Sequence, residues 1–221
     1  MRLYLASVNP DEIRWAVQSG LIDGVVATPR VLAEEVPQAD PLEILTELAA
    51  LTPLPIFASV GALTPTEIVR GARALRRIAE QVVIAIPFVE EALPAVRRLS
   101  RDGVRCAATF VHSAAQGLLA AKAGAAYISP FVGRLDDIGT DGMQLIADIC
   151  QIYRAYPAIR TEVLVASVRH PIHVVAAAKL GAHVATLPPN VLRQMYQHPL
   201  TDKGLAAFLA DWQKTGQSIL G

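Results

Sequence analysis

Short apolar runs rich in β-branched residues recur along the whole chain. Eight can be counted, at residues 2–7, 24–29, 55–60, 82–88, 105–112, 125–132, 162–169 and 183–189. Their apolar residues are continuous rather than alternating, which is the pattern of parallel strands buried on both faces. We therefore predict a β-strand in each run.

The segments between these runs show the period of amphipathic helices. In residues 64–81, apolar side chains recur every three or four positions from Ile68 to Ile78, and arginines occupy the other face. Thr64 and Glu67 have the spacing of a capping box, with proline in the first turn. This segment is predicted to be a helix that begins at its threonine.

The order of strands and helices predicts the fold class. Gly124 and Gly181 each follow a helical segment and precede a strand, as helix C-caps do. Eight strand–helix units in 221 residues predict an α/β protein, a (β/α)₈ TIM barrel forming a single domain over residues 1–221. The alternative is an open doubly wound sheet. That fold favours a glycine-rich turn after the first strand, and residues 6–12, "ASVNPDE", contain no glycine.

An extra helix is predicted at the C-terminus, at about residues 205–214. Leu205, Phe208, Leu209 and Trp212 form one apolar stripe along it. Because "PNVLRQMYQH" already supplies the eighth barrel helix, this stripe has no evident partner on its own barrel. We expect residues 201–221 to be an oligomerisation helix and tail. The alternative is that the helix folds back across its own barrel.

Composition narrows the classes of function. Formal net charge is zero, which gives no electrostatic reason to expect a nucleic-acid partner. No apolar run approaches the roughly 20 residues of a membrane helix, and the N-terminus does not resemble a signal peptide. We expect a cytoplasmic protein whose two cysteines, Cys106 and Cys150, are buried and reduced.

In a TIM barrel, chemistry takes place where the strands meet the loops that follow them. The fourth predicted strand brings only Ala85 and Phe88 to that end. The polar residues at the other strand ends are Ser7, Thr28, Ser59, Thr109, His112, Ser129, Arg134, Asp136, Ser167, Arg169, His170 and Asn190.

Histidines and cysteines suggest two further kinds of site. His112, His170 and His173 could be metal ligands, but no carboxylate evidently completes the set, so we predict no metal and place them at the rim or at helix caps. Cys106 could be a nucleophile only at the carboxyl end of a strand. Because it lies near the start of the fifth strand, a place in the core is predicted.

Several of the polar strand ends also have purely structural explanations. Arg134 could pair with Asp136 or Asp137 at the rim, or its guanidinium could bind phosphate or another anion. Ser7, Thr28 and Ser59 could be core hydroxyls bonded to the backbone.

Several long stretches carry a family resemblance. They are residues 21–32 ("LIDGVVATPRVL"), 110–142 ("FVHSAAQGLLAAKAGAAYISPFVGRLDDIGTDG"), 163–171 ("VLVASVRHP") and 186–195 ("TLPPNVLRQM"). The chain resembles the transaldolase family from end to end, in the small branch that contains fructose-6-phosphate aldolase. The resemblance implies a barrel in which a lysine on the fourth strand forms a Schiff base with a ketose.

At that lysine position the chain departs from the family pattern. The family's V-V-K-V-P corresponds to "VIAIP" at residues 83–87, which places Ala85 where the Schiff-base lysine stands. A methyl group cannot form an imine. The chain's lysines, Lys122, Lys179, Lys203 and Lys214, fall on predicted helices or near the C-terminus.

Other family positions divide into lost and retained ones. The resemblance aligns Ala6 with the family's Asp and Thr28 with its Asn. It aligns Ser59 with a Gln or Glu of the family and Phe131 with its Tyr. Of the family's proton-handling residues, only Thr109 is retained. The family's phosphate-binding positions carry Arg134, Ser167 and Arg169.

These features lead to three functional hypotheses. The first is a pseudo-enzyme of carbohydrate metabolism that binds a small phosphorylated metabolite, such as a phosphosugar, without aldol cleavage. The second is a lysine-independent enzyme in which Thr109, His112 or Asp136 acts as acid or base through a bound water. The third is ordinary transaldolase or fructose-6-phosphate aldolase activity. No cofactor is expected, and the resemblance implies a ring-shaped homo-pentamer or decamer.

Overall fold

Residues 1–216, described here in a computed structural model, include eight parallel strands that close into a barrel in sequence order. The predicted TIM barrel is therefore confirmed. The strands are β1 (Arg2–Leu5), β2 (Gly24–Ala27), β3 (Ile56–Ser59), β4 (Val82–Pro87), β5 (Cys106–Val111), β6 (Tyr127–Pro130), β7 (Glu162–Val165) and β8 (Val184–Leu187).

Eleven α-helices surround or follow the barrel within these residues. They are α1 (Pro10–Gln18), α2 (Pro29–Glu35), α3 (Pro41–Leu51), α4 (Pro65–Ile78), α5 (Leu93–Arg101), α6 (Ala114–Ala123), α7 (Val132–Asp136), α8 (Gly142–Ala155), α9 (Pro171–Leu180), α10 (Pro189–Gln194) and α11 (Pro199–Lys214). Three strands, β2, β6 and β8, are each followed by two α-helices rather than one.

Helix ends agree with the sequence predictions in part. Gly124 and Gly181 end α6 and α9 in the left-handed conformation, at φ of 93° and 84°, as predicted for C-caps. Helix α4 begins after Thr64 with proline in its first turn, as predicted, but the capping box itself was predicted wrongly. The Thr64 hydroxyl donates to the Glu67 carboxylate at 2.5 Å and makes no bond to the helix backbone.

Two apolar cores flank the strands. The outer core lies between strands and helices and includes both cysteines, which are buried free thiols. Burial raises the pKa of the Cys106 thiol to about 12, so it stays protonated and unreactive near neutral pH. Its predicted place in the core is confirmed.

The inner core fills the barrel lumen. Tyr4, Phe57 and Tyr127 stack edge to face in its middle layer, with ring centroids 5.4 and 5.1 Å apart. An ion pair between Arg2 and Glu162 lies at the amino-terminal end. Packed rings thus close the lumen towards the amino-terminal end of the strands, and the carboxyl end is the side from which a ligand can enter.

Helix α11 begins earlier than predicted, at Pro199, because the His198 side chain accepts the Leu200 N–H at 3.1 Å and caps it. None of its residues is buried. The apolar stripe is exposed, with the Phe208 and Trp212 rings stacked on each other. The end of the predicted tail, residues 217–221, lies outside the described residues.

No helix among residues 1–216 has the length and apolar character needed to cross a membrane.

Candidate functional site

The upper layer of the lumen brings the strand-end positions together. Side chains alternate along a strand. Since Val26, Phe57, Val83 and Ala107 belong to the inner core, the residues two positions later also face the lumen. Those residues are Thr28, Ser59, Ala85 and Thr109. Ala6 also belongs to this layer, because it packs against the edge of the inner core. The register places Ser59 beside Ala85, and Pro87 beside Thr109.

Ala85 occupies the centre of this layer. It is 2% exposed and lies between Ser59 on β3 and Ala107 on β5. A methyl group at this point supplies neither a nucleophile nor a proton, so covalent chemistry through β4 is closed to this chain.

The four lysines all lie outside the barrel. Lys122 is on α6, Lys179 on α9, and Lys203 and Lys214 on α11, and each is exposed to solvent. Lys214 is also paired with Asp211 at 2.8 Å. No lysine of the chain therefore reaches the lumen.

The segment after β7 differs from its prediction. The strand was predicted to continue to residue 169 but ends at Val165, because Ser167 adopts a left-handed conformation with φ of 59°. This turn carries Ser167 and Arg169 out of the sheet and towards α7. We call residues 167–170 the β7 loop.

Gly133 on α7 lets the β7 loop approach closely. A Cβ atom at this position would lie 2.4 Å from the Ser167 carbonyl oxygen and 2.7 Å from the Arg169 Nε. Arg169 also donates to the Gly133 carbonyl oxygen at 3.2 Å. The absence of a side chain at position 133 thus sets the position of Arg169.

The two arginines at this corner meet on one carboxylate. Asp137 lies 2.6 Å from the Arg169 guanidinium and 3.8 Å from that of Arg134. Both guanidinium groups remain about half exposed. The ion pair considered for Arg134 is present, with Asp137 rather than Asp136, and the same carboxylate holds both arginines at the rim.

Asp136 is engaged by a buried histidine. Its carboxylate lies 3.1 Å from His173 Nε2 and also accepts the Gly142 N–H at 3.0 Å. His173 Nδ1 accepts the backbone N–H of Arg169 at 3.4 Å. These contacts fit a neutral imidazole protonated on Nε2, and burial, reinforced by the nearby His170, lowers the pKa of His173. The histidine thereby fixes the backbone of the β7 loop.

The remaining histidines form no metal set. The His170 ring lies against that of His173, tilted by 43° and with ring centroids 3.8 Å apart. His112 instead contacts Phe131, on the β5–β6 side. Within residues 1–216, no three His, Cys, Asp or Glu side chains are grouped so that they could hold a metal ion.

Ser7 is a structural residue. Its buried hydroxyl donates to Glu35 at 2.9 Å and accepts the Asn9 N–H at 3.1 Å. The same Glu35 oxygen accepts the Val8 and Asn9 amides, so the loop after β1 is tied to α2. Of the other polar strand ends, Ser129 is buried on β6 and Asn190 is exposed on α10.

Aromatic rings line the β5–β6 side of the mouth. Phe110 lies at a β-bulge between Thr109 and Val111, with φ of 58°. The residue is 51% exposed, and its ring centroid is 5.0 Å from that of Phe131. The His112 ring approaches the same Phe131 from 6.1 Å.

The sequence did not reveal Phe110 or Gly133 as site residues. Strand alternation predicts Phe110 on the outer face of β5, and the bulge that turns it carries no sequence signal of its own. The glycine within "PFVGRLDD" was a usable signal, since a helix interior selects against glycine unless something must approach it.

Comparison with known proteins places the chain among relatives of similar length. The sequence model of the family described as Transaldolase/Fructose-6-phosphate aldolase matches residues 8–219. A protein of Anaeromyxobacter sp. named "Probable transaldolase" is 53% identical over 214 residues, which cover 97% of this chain and 98% of that protein. A protein with the same name from Thermoanaerobacter sp. is 48% identical, over 99% of this chain and 100% of that protein. Another, from Rhodospirillum centenum, is 47% identical, over 100% of this chain and 94% of that protein.

Proposed function

The chain belongs to the transaldolase/fructose-6-phosphate aldolase family, and from this premise we propose that it is a pseudo-enzyme of carbohydrate metabolism. It binds a phosphorylated sugar or a related anion at the mouth of its barrel. It does not form the Schiff base by which the family cleaves ketoses. The retained fold supplies the binding site, and the substituted lumen removes the chemistry.

One observation carries this proposal. Ala85 faces the lumen on β4, at the position that the resemblance assigns to the Schiff-base lysine, and all four lysines are exposed on helices outside the barrel. Imine formation needs an amine within bonding distance of the ketose carbonyl. An exposed ammonium on an outer helix cannot provide one to a ligand in the lumen.

The anion site proposed is the corner formed by Arg134, Ser167 and Arg169. Both guanidinium groups are half exposed and are held within reach of a single carboxylate. Such paired forks suit the oxygens of a phosphate. Asp137 occupies the place that an anion would take, so ligand binding and this ion pair compete.

Arg134→Ala is expected to weaken binding of fructose 6-phosphate about tenfold to one hundredfold, in line with the loss of one charge-assisted hydrogen bond. Asp137→Asn is expected to strengthen binding, because it removes the competing carboxylate. Isothermal titration calorimetry of the two variants beside the wild-type chain measures both effects. Equal affinity in all three proteins would count against the site.

The name of the relatives favours a second candidate, an active transaldolase. That activity would need a Schiff-base amine from one of the outer lysines. The lysine-independent alternative has less support, because Asp136 is already engaged by His173 and Gly142. The other acid or base candidates of this lysine-independent mechanism are Thr109, which faces the lumen, and His112, an exposed residue whose ring lies beside Phe131. Borohydride trapping, described below, separates the transaldolase candidate from the pseudo-enzyme.

We further propose that the chain forms a ring-shaped homo-oligomer, a pentamer or a decamer, through α11. The stripe formed by Leu205, Phe208, Leu209 and Trp212 is exposed, and no residue of α11 is buried in the single chain. An apolar helix face of this kind is normally covered, and in a closed ring each copy covers its neighbour.

Changing Leu205 and Phe208 together to Ser is expected to convert the assembly to monomers, because it removes two large apolar contacts from each interface. Light scattering at micromolar concentration measures the mass. Ala207→Ser, on the opposite face of α11, is the matched control and should leave the assembly unchanged. A monomeric wild-type chain, or a double variant that still assembles, would contradict the proposal.

The remaining assignments follow from the same picture. The protein is proposed to be cytoplasmic, in agreement with two buried cysteines that remain free thiols. Its partner is a small phosphorylated metabolite, and it is proposed to work without a cofactor.

A further inference from the structure

Two strained residues flank the mouth of the barrel. Among residues 1–216, Phe110 and Ser167 alone combine a side chain with a positive φ. They lie at the carboxyl ends of β5 and β7, on either side of β6. Left-handed backbone is rare for residues other than glycine and collects at functional sites, where the surrounding structure holds it in place. Ser167 belongs to the proposed anion site, but Phe110 does not.

The strain at Phe110 is not offset by burial of its ring. Val111, the next residue, is fully buried in the outer core, whereas about half of Phe110 is in contact with solvent. The bulge turns the ring away from the outer core, where strand alternation would place it, and onto Phe131 at the lumen edge. A β-bulge next to a site commonly re-aims a side chain in this way.

The surface beside Phe110 suits a flat ring better than a chain of hydroxyls. Ala6, Ala85 and Phe131 present methyl groups and an aromatic face where the resemblance expects polar groups. The hydroxyls that remain, on Thr28, Ser59 and Thr109, are short. A polyol bound there would leave hydroxyls against apolar atoms, which costs the full desolvation of each unpaired group.

The aromatic surface is continuous with the proposed anion site. Phe131 immediately precedes α7, and the Arg134 backbone N–H donates to its carbonyl oxygen at 3.2 Å. Phe131 and Arg134 are thus about one helical turn apart along the backbone. A ligand with an anionic end and a ring could contact both at once.

We infer that the ligand of this site is a phosphate monoester whose organic part is a flat aromatic ring, with Phe110 and Phe131 as the residues that select it. The inference rests on the proposed anion site at Arg134, Ser167 and Arg169 and adds the class of molecule that the site accepts. The ring stacks on Phe110 and Phe131, and the phosphate reaches the two guanidinium groups.

Calorimetry of the full chain with phenyl phosphate, glycerol 3-phosphate and inorganic phosphate tests the inference. The two esters carry the same anionic group, so their difference reports the organic part alone. Phenyl phosphate is expected to bind about tenfold more tightly than glycerol 3-phosphate, the scale of one good aromatic contact with its burial. Phe110→Ala should reduce this preference to about threefold or less, whereas Tyr156→Ala, which removes another exposed ring, should keep it.

A second variant separates selection from folding. Phe110→Gly places at φ of 58° the residue that adopts it without strain. Its melting temperature should equal or exceed that of the wild-type chain, while the preference for phenyl phosphate is lost. A ring that served only folding would give the opposite pair of results.

The outcomes distinguish the two proposals. If none of the three anions binds, the anion site fails and the aromatic inference fails with it. If both esters bind with equal affinity, or if Phe110→Ala keeps the preference, the anion site stands and the aromatic inference is overturned.

Discussion

Ala85→Lys is expected to leave aldol cleavage of fructose 6-phosphate at least about one hundredfold slower than in a variant that also restores the four neighbouring positions. The new amine would stand in the upper lumen between Ser59 and Ala107, where burial lowers the pKa of a lysine and favours the free base. Imine formation is therefore expected. Cleavage also needs positioned proton transfer, which contributes roughly 10²–10⁴-fold and which Thr109 alone does not supply.

The comparison variant carries Ala85→Lys together with Ala6→Asp, Thr28→Asn, Ser59→Gln and Phe131→Tyr. Steady-state release of glyceraldehyde 3-phosphate measures both proteins, and Ala85→Met controls for filling the same space without an amine. Equal turnover by the Ala85→Lys variant and by the variant with all five substitutions would show that the other four positions do not matter.

Gly133→Ala is expected to disrupt the proposed anion site and to destabilise the fold, although it lies within a helix. Helix propensity alone predicts a stabilisation of roughly 1 kcal/mol. The new Cβ would lie 2.4 Å from the Ser167 carbonyl oxygen, and a backbone atom cannot move aside as a flexible side chain does. Overpacking of this kind costs about 1–3 kcal/mol. The β7 loop must shift, and Arg169 with it, so phosphate affinity should fall at least about tenfold.

Urea unfolding and phosphate calorimetry on the same preparation measure both effects. Gly61→Ala is the matched control, because a Cβ at that position meets nothing within 4 Å and its backbone is not left-handed. A Gly133→Ala protein as stable as wild type, with unchanged phosphate binding, would show that the close approach has no role.

The fold was predictable because its signals are local and repeated. Each buried strand is a continuous apolar run, and Gly124 and Gly181 mark helix ends through a conformation that glycine adopts without strain. The inward orientation of Ala85 also follows from the sequence once the strand is placed, because side chains alternate between the two faces of a strand.

The details of the site depend on interactions between distant segments, and the sequence did not give them. The turn at Ser167 depends on its packing against Gly133, 34 residues earlier in the numbering, and the bulge at Phe110 depends on its pairing with β6. Helix α11 was placed too late because the capping residue is His198, a weaker signal than Ser, Thr, Asp or Asn. The sharing of Asp137 by two arginines was missed because Arg169 reaches that carboxylate from a loop 32 residues further along the chain.

Sodium borohydride reduction in the presence of dihydroxyacetone, read by intact mass and peptide mapping, tests the central claim most directly. Reduction converts a transient imine into a stable amine adduct, so any Schiff-base lysine is recorded at its position. The Ala85→Lys protein serves as the positive control and should gain one adduct at residue 85. The wild-type chain should show no saturable adduct at Lys122, Lys179, Lys203 or Lys214 and no cleavage of fructose 6-phosphate. A stoichiometric adduct on one of these lysines, accompanied by turnover, would contradict the account and identify the protein as an active aldolase.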